Sequence, residues 1–181
     1  MPEPASQIQA VGELIDDLRA IGLTPVLVGG MALVVRGSRR VTNDFDLVIA
    51  HPGDRLDPTL ESLYARGLEL VSRLDEGGNV VATIANRSVA GARLRLDKPS
   101  SAYFYNVATG LRVDLLFDFP IDAGALASRA TKTKIRSHVF AIASDEDLLA
   151  LKRIAAAARF APGDAEDIAF LESRLRTRAG S

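Results

Sequence analysis

Residues 26–49 read VLVGGMALVVRGSRRVTNDFDLVI, and the punctuation of this 24-residue block decides the fold. Pro25 opens the uniformly apolar run Val26, Leu27 and Val28, the pattern of a short strand buried on both faces. Gly29 and Gly30 end it. Met31 to Arg36 predicts a short helix closed by Gly37 and Ser38, and Phe45, Leu47 and Ile49 then alternate with Asp44, Asp46 and Val48 as a second strand. Side chains two apart on a strand share a face, with Cα atoms roughly 6.6 Å apart, so Asp44 and Asp46 converge. Carboxylates that close, at the edge of an apolar sheet, repel and lose hydration, and a cation between them relieves both penalties. Mg²⁺ suits the position because it takes oxygen ligands from one or two carboxylates plus substrate phosphates. Alone, an Asp-x-Asp strand is equally a solvated edge or turn cap, and Gly-Gly a tight turn. Together, with Arg40 and Thr42 between them, they are more specific, since glycine between a strand and a helix lets backbone N–H groups approach an anion.

Outward from this block, Ile8, Val11, Leu14, Ile15 and Leu18 predict an amphipathic helix over 5–21, ending near Gly22. Leu56, Leu60 and Leu63 predict a helix to about Ala65, and Leu68 to Val71 a strand. Residues 75–90 contain a turn at Gly77-Gly78, whereas Val80, Val81, Ile84 and Ala85 fit helix or strand. From Ala92, Leu94 and Leu96 alternate with Arg93, Arg95 and Asp97; Tyr103 to Val107 and Leu111 to Phe119 follow, which reads as an antiparallel meander. Asp122 to Arg129 predicts a short helix, and Lys134 to Ala141 a strand or hairpin arm. Ser144 with Asp147 starts a helix over about 145–160 like a capping box, and Pro162 and Asp164 begin a last one with apolar residues Ile168, Leu171 and Leu175. Residues 177–181 are expected to fray. The expected organisation is an α/β body over 1–143 and a two-helix element over 144–176 belonging to the same domain.

At 181 residues, with 48% hydrophobic and 25% charged residues, the chain supports one cored domain. Without cysteine there is no disulfide, thiolate metal site or cysteine nucleophile. No leader-like start and no apolar run of membrane-spanning length is present, so a cytoplasmic protein without a membrane partner is expected. A net charge of −1 gives no global pull on nucleic acid. Only a local patch such as Arg129, Lys132, Lys134 and Arg136 could meet RNA, and the same run is equally a solvated face.

A third carboxylate is available in the meander. Asp114 shares a polar strand face with Arg112 while Val113 and Leu115 point away, and Asp118 falls on the same face, so either or neither completes an acidic triad able to hold two metals. Later, Lys152 and Arg159 fall inside the apolar stripe of the helix that carries Leu148 and Leu151. Lys152 either pairs with Asp164 and Asp167 of the next helix or lines a cleft shared with Asp44 and Asp46, and Arg159 is expected to tie the two helices together. His51 and His138 are too isolated for a zinc site, and Tyr103 and Tyr105 read as packing.

These residues resemble the nucleotidyltransferase superfamily, whose members carry a strand, a Gly-Gly or Gly-Ser turn, a short helix and an Asp-x-Asp strand. The spelling GGMALVVRGSRRVTNDFDL is similar to the branch containing abortive-infection type IV toxins (AbiEii-like) and small bacterial relatives. DLLALKRIAAAARFAPGDAEDIAFL resembles that branch's Asp-Leu-x-x-x-Lys helix and following Asp-x-x-Asp-Ile start, so with RVDLL the likeness spans most of the chain. The resemblance implies a nucleotidyltransferase fold, α/β (α+β), with a small mixed sheet flanked by helices and a C-terminal helical element. It implies that Gly29 and Gly30 cradle nucleotide phosphates with Arg40 and Thr42 nearby, that Asp44 and Asp46 bind Mg²⁺, that Asp114 completes the triad and helps deprotonate the acceptor, and that Lys152 reaches the triphosphate. The usual Ser after the first Gly is Gly30 here, which leaves phosphate contact to backbone amides.

The activity so implied moves a nucleoside monophosphate from an NTP to an acceptor hydroxyl on tRNA or protein, as the toxin of a pair with a cognate antitoxin protein, or on a small molecule such as an aminoglycoside. Two competing expectations are a non-catalytic nucleotide- or RNA-binding module and metal-dependent phosphate hydrolysis by the same triad.

Overall fold

The computed structural model describes residues 4–159 and 161–181. The first helix, α1 (Pro4–Ala20), precedes β1 (Val26–Val28), α2 (Gly29–Val35) and β2 (Asp44–Ile49). Then come α3 (Leu56–Tyr64), the hairpin β3 (Glu69–Leu74) and β4 (Val80–Ile84), α4 (Arg87–Asp97), β5 (Ser101–Tyr105) and β6 (Arg112–Phe117). The chain closes with α5 (Ala123–Arg129), the hairpin β7 (Thr131–Ile135) and β8 (His138–Ile142), α6 (Asp145–Ala158) and α7 (Pro162–Ala179).

One eight-stranded sheet runs β4-β3-β5-β6-β2-β1-β8-β7. It is mixed, as expected, and larger than expected. β2 pairs parallel with β6 and β1 parallel with β8, and the other pairs are antiparallel. Alternation sorts the two faces. Leu27, Phe45, Leu47, Val113, Leu115, Phe104 and Leu70 point to one side and are buried. α1 lies on that side, since His138 of β8 reaches Asp16 and Gln9 of α1, and α3 and α4 pack alongside it. Asp44, Asp46, Asp114 and Tyr103 point to the other side, which carries α2 and α6. Phe45, Phe104 and Phe140 anchor the first layer, and burial of this apolar surface is the main stabilising term.

Four expectations are corrected. The stretch from Ala92 to Asp97 is the second half of α4, not a strand: Asn86 Oδ1 accepts from Ser88 N at 2.9 Å and Val89 N at 3.1 Å, and Ala90 and Leu94, four apart, bury one face. Leu96, which suggested alternation, is 83% exposed. The meander is thus two hairpin-like pairs separated by a helix. Second, α7 is longer than the element expected over 144–176 and runs to Ala179. Third, Lys134 to Ala141 is not one strand; it straddles both arms of the β7–β8 hairpin, whose turn holds Arg136 at φ +56°. Fourth, Asp118 leaves the strand with φ +50°, where its carboxylate accepts from His51 N and Ala123 N at 2.9 Å each. It caps turns and does not stand beside Asp114. The expected end of α6 at residue 160 lies outside the described residues.

Candidate active site

The site begins at the junction of β1 and α2. Gly29 has φ +67°, a conformation open to glycine and strained for other residues, and a Cβ there would stand 2.8 Å from Cγ of Asp46 and overlap Oδ2. Val28 is the register partner of Asp46, so the chain turns off the sheet directly above that carboxylate. At Gly30 a Cβ would lie 3.0 Å from Cζ of Arg40. The Gly-Gly pair therefore packs a carboxylate against one residue and a guanidinium against the other.

Register does the rest. Asp44 pairs with Arg112, and Asp46 with Asp114, across the parallel β2–β6 ladder, while Tyr103 of β5 partners Asp114 from the other side. The three carboxylates therefore share a face. Arg112 Nη1 stands 3.9 Å from Asp44 Oδ1, and its guanidinium lies 5.9 Å from the ring centroids of both Tyr103 and Tyr105. Asp44 N donates to Thr42 Oγ1 at 3.4 Å.

Burial raises the Asp46 carboxyl to about 6, with the Asp44 charge adding to it and Lys152, Arg40 and Arg159 opposing. Asp114 rises to about 7, from burial first and then from the charges of Asp46 and Asp44. Its Oδ1 is buried with no hydrogen-bond partner. Tyr103 is pushed above the usual phenol value by burial and by Asp44. Among the described residues no three His, Cys, Asp or Glu side chains already form a cage for a metal ion. The donor set fits a hard cation nonetheless: three carboxylates on one face, one with an unpartnered buried oxygen, match an ion that keeps water or phosphate among its ligands.

The cationic wall comes from α6. Lys152 Nζ lies 2.7 Å from Asp167 Oδ2 and 3.3 Å from Asp164 Oδ1, and its side chain is 12% exposed. Arg40 also pairs with Asp167. Both alternatives for Lys152 thus hold at once: it is anchored by α7, and it lines the cleft. Arg159 departs from expectation. Among the described residues it forms no ion pair with α7; it is exposed at the end of α6, lines the cleft and lowers the Asp46 carboxyl.

The resulting cleft is about 650 Å³ and brings together Gly29, Gly30, Arg40, Thr42, Asp44, Asp46, Asp114 and Lys152, every site residue expected from the sequence. It adds residues that the sequence reading did not assign to the site: Tyr103, read there as packing, Arg112, the Gly77-Gly78 turn, and an apolar flank of Leu116, Phe119, Pro120, Leu151 and Ile154. Tyr103 could have been found, because alternation from buried Ala102 and Phe104 puts it on the polar face. A second cavity, about 470 Å³, lies around buried Asp145, on which Arg36, Arg174 and Arg178 converge at 3.4, 3.1 and 3.5 Å. Arg174 Nη1 also donates to Arg36 O, so this cluster ties α7 to the end of α2.

No known family model matches the chain, and no curated protein matches it by sequence. Solved structures do. The antibiotic-resistance factor ANT(2'')-Ia aligns at TM-score 0.62 with 12% identity over 96% of this chain and 86% of its own. The lincosamide antibiotic adenylyltransferase LnuA, bound to lincomycin, aligns at 0.56 with 13% identity, covering 91% and 96%. An antigenic nucleotidyltransferase-like protein from Paracoccidioides brasiliensis aligns at 0.58 with 19% identity, covering 91% and 74%. The fold is that of the nucleotidyltransferases, mixed α/β with a C-terminal helical element. No described helix is long and apolar enough to cross a membrane.

Proposed function

We propose that this chain is a nucleotidyltransferase that moves a nucleoside monophosphate from an NTP to an acceptor hydroxyl. The observation that carries the reading is the register of β2 on β6, which sets Asp44, Asp46 and Asp114 on one face under the Gly29-Gly30 turn. In the reaction the acceptor oxygen attacks the α-phosphorus, the bond to the β-phosphate bridge breaks, and pyrophosphate leaves. Backbone N–H groups at Gly29 and Gly30 hold phosphate oxygens, with Arg40 and Thr42 at the edge of that turn. Asp114 takes the acceptor proton, and Lys152 and Arg159 offset the charge building on the leaving phosphates. A bound Mg²⁺, held by Asp44, Asp46 and Asp114, would polarise the α-phosphate. Labelled NTP with Mg²⁺ should label a component of a cell extract, and Asp46→Ala should abolish the label; labelling that survives in this variant removes Asp46 from the chemistry.

A small hydroxylated molecule is the favoured acceptor. Two of the compared structures are an antibiotic-resistance factor and an antibiotic adenylyltransferase, and the cleft volume is in the range of small-molecule sites. A tRNA or protein acceptor, with the bacterial toxin–antitoxin pairing in the cytoplasm, is the second reading. What favours it is Lys132 and Lys134, exposed on β7 and in register, through β8 and β1, with the face that carries Asp46. A non-catalytic nucleotide-binding module also has one observation behind it, namely that Lys152 is already held by two carboxylates. Calorimetry separates it from the enzyme: NTP binding indifferent to Mg²⁺ and to Asp44→Asn would mark the module.

A further inference from the structure

The charge inventory of the cleft limits what can sit in it. Among the described residues lining it, the carboxylates are Asp44, Asp46 and Asp114, all on the sheet, whereas Arg40, Arg112, Lys152 and Arg159 are cations. Asp164 and Asp167 of α7 are buried and committed to Lys152 and Arg40. Glu69, further out on the same sheet face, accepts from Thr83 Oγ1. Among the described residues no carboxylate lining the cleft stands outside the triad, so an ammonium group entering it meets no acid that the proposed chemistry leaves spare, and a polyamine meets like charge at Arg112 and Arg159.

The rest of the wall is apolar. Phe119 and Ile154 are 47% and 46% exposed, large side chains that gain from being covered, and Leu116 and Leu151 lie beside them. Tyr103 and Arg112 also line the cleft and offer an aromatic ring and a planar cation, the latter steadied by donation to Gly78 O at 3.3 Å.

Resting on the nucleotidyl-transfer reading above, we propose that the acceptor is a hydroxylated molecule with no net positive charge and with an apolar or aromatic face, and that polyamines are rejected. Which part of the cleft takes the nucleoside makes no difference, because among the described residues lining it no acid is spare. This separates the chain from its structural neighbour ANT(2'')-Ia, which has also been solved in complex with adenylyl-2''-tobramycin, the adduct of a polyamine.

The test uses the full chain with Mg²⁺ and a non-hydrolysable ATP analogue, titrated in a calorimeter with tobramycin, with fully N-acetylated tobramycin, and with 4-nitrophenyl β-glucoside. The glucoside is expected to bind at least tenfold more tightly than tobramycin, and N-acetylation is expected to leave tobramycin binding no weaker. Equal affinities for glucoside and tobramycin, or tighter tobramycin, overturn the proposal. Ile154→Asp and Phe119→Asp each add the missing carboxylate at an exposed position, and either should raise tobramycin affinity several-fold; no change in both variants also overturns it. Failure to bind the ATP analogue, and equally the GTP, CTP and UTP analogues, would be seen before any acceptor is added, and it would sink the nucleotidyl-transfer reading instead.

Discussion

The carboxylate of Asp46 occupies the space that a side chain on Gly29 would need. Gly29→Ala therefore meets two penalties, the left-handed backbone, about 1–2 kcal/mol for a residue with a Cβ, and displacement of Asp46. Denaturant unfolding should show a loss above that figure, together with loss of any Mg²⁺-dependent response to NTP. Gly30→Ala should be milder, since its Cβ would meet the movable end of Arg40.

Asp46 and Asp114 set a pH dependence. Their folded values, about 6 and about 7, lie above the ordinary aspartate value of about 3.9, so the folded protein binds more protons than the unfolded chain across that window. Stability from this pair is greatest below about pH 4 and falls as the pH rises through 7. Asp114→Asn removes the penalty: at pH 8 it should melt higher than the parent, at roughly 2–4 °C per kcal/mol regained, while losing the proposed transfer activity. Mg²⁺ should raise the parent's Tm at pH 8 and do little for this variant. Calorimetric scans at pH 5 and pH 8 read both effects, and a parent more stable at pH 8 would contradict the assignment.

Asp167 holds both Arg40 and Lys152. Removing one partner of a buried ion cluster leaves uncompensated charge, with a loss of about 3–5 kcal/mol, so Asp167→Ala should be among the more destabilising substitutions in the chain. Asp167→Asn keeps the shape and isolates the charge effect; urea midpoints for the two variants would compare them.

The α4 assignment is tested at its cap and at its two leucines. Asn86→Ala should destabilise by about 1 kcal/mol. Leu94→Ala should lose about 2–3 kcal/mol as a buried side chain, whereas Leu96→Glu should be nearly neutral. A strand through these residues would have Leu94 and Leu96 share one face and respond alike.

What could be read in the sequence follows the range of the interactions. Val26 to Ile49 is a local unit whose residues make their own strand, turn and helix, and the pair Asp44 and Asp46 is visible because a strand's period is two. Asp114 needed a pairing sixty-odd residues away, and with Asp118 on the same apparent period only the positive φ at Asp118 separates them. Arg-Leu-Arg-Leu in 93–96 imitates a strand; the opposing signal was Asn86, a helix cap eight residues before Leu94. Sheet size was hidden because β8 joins β1 in parallel from the far end of the chain. The Arg40–Asp167 contact crosses 127 residues and leaves no periodic trace.

That last span bears on how the protein is made. The acidic floor belongs to β2 and β6, which leave the ribosome before α6 and α7. The counter-cations stay unfixed until Asp164 and Asp167 have been synthesised and docked. On the proposed function, a nascent chain therefore carries the carboxylates without a firm hold on the triphosphate. It stays silent toward NTP until α7 packs.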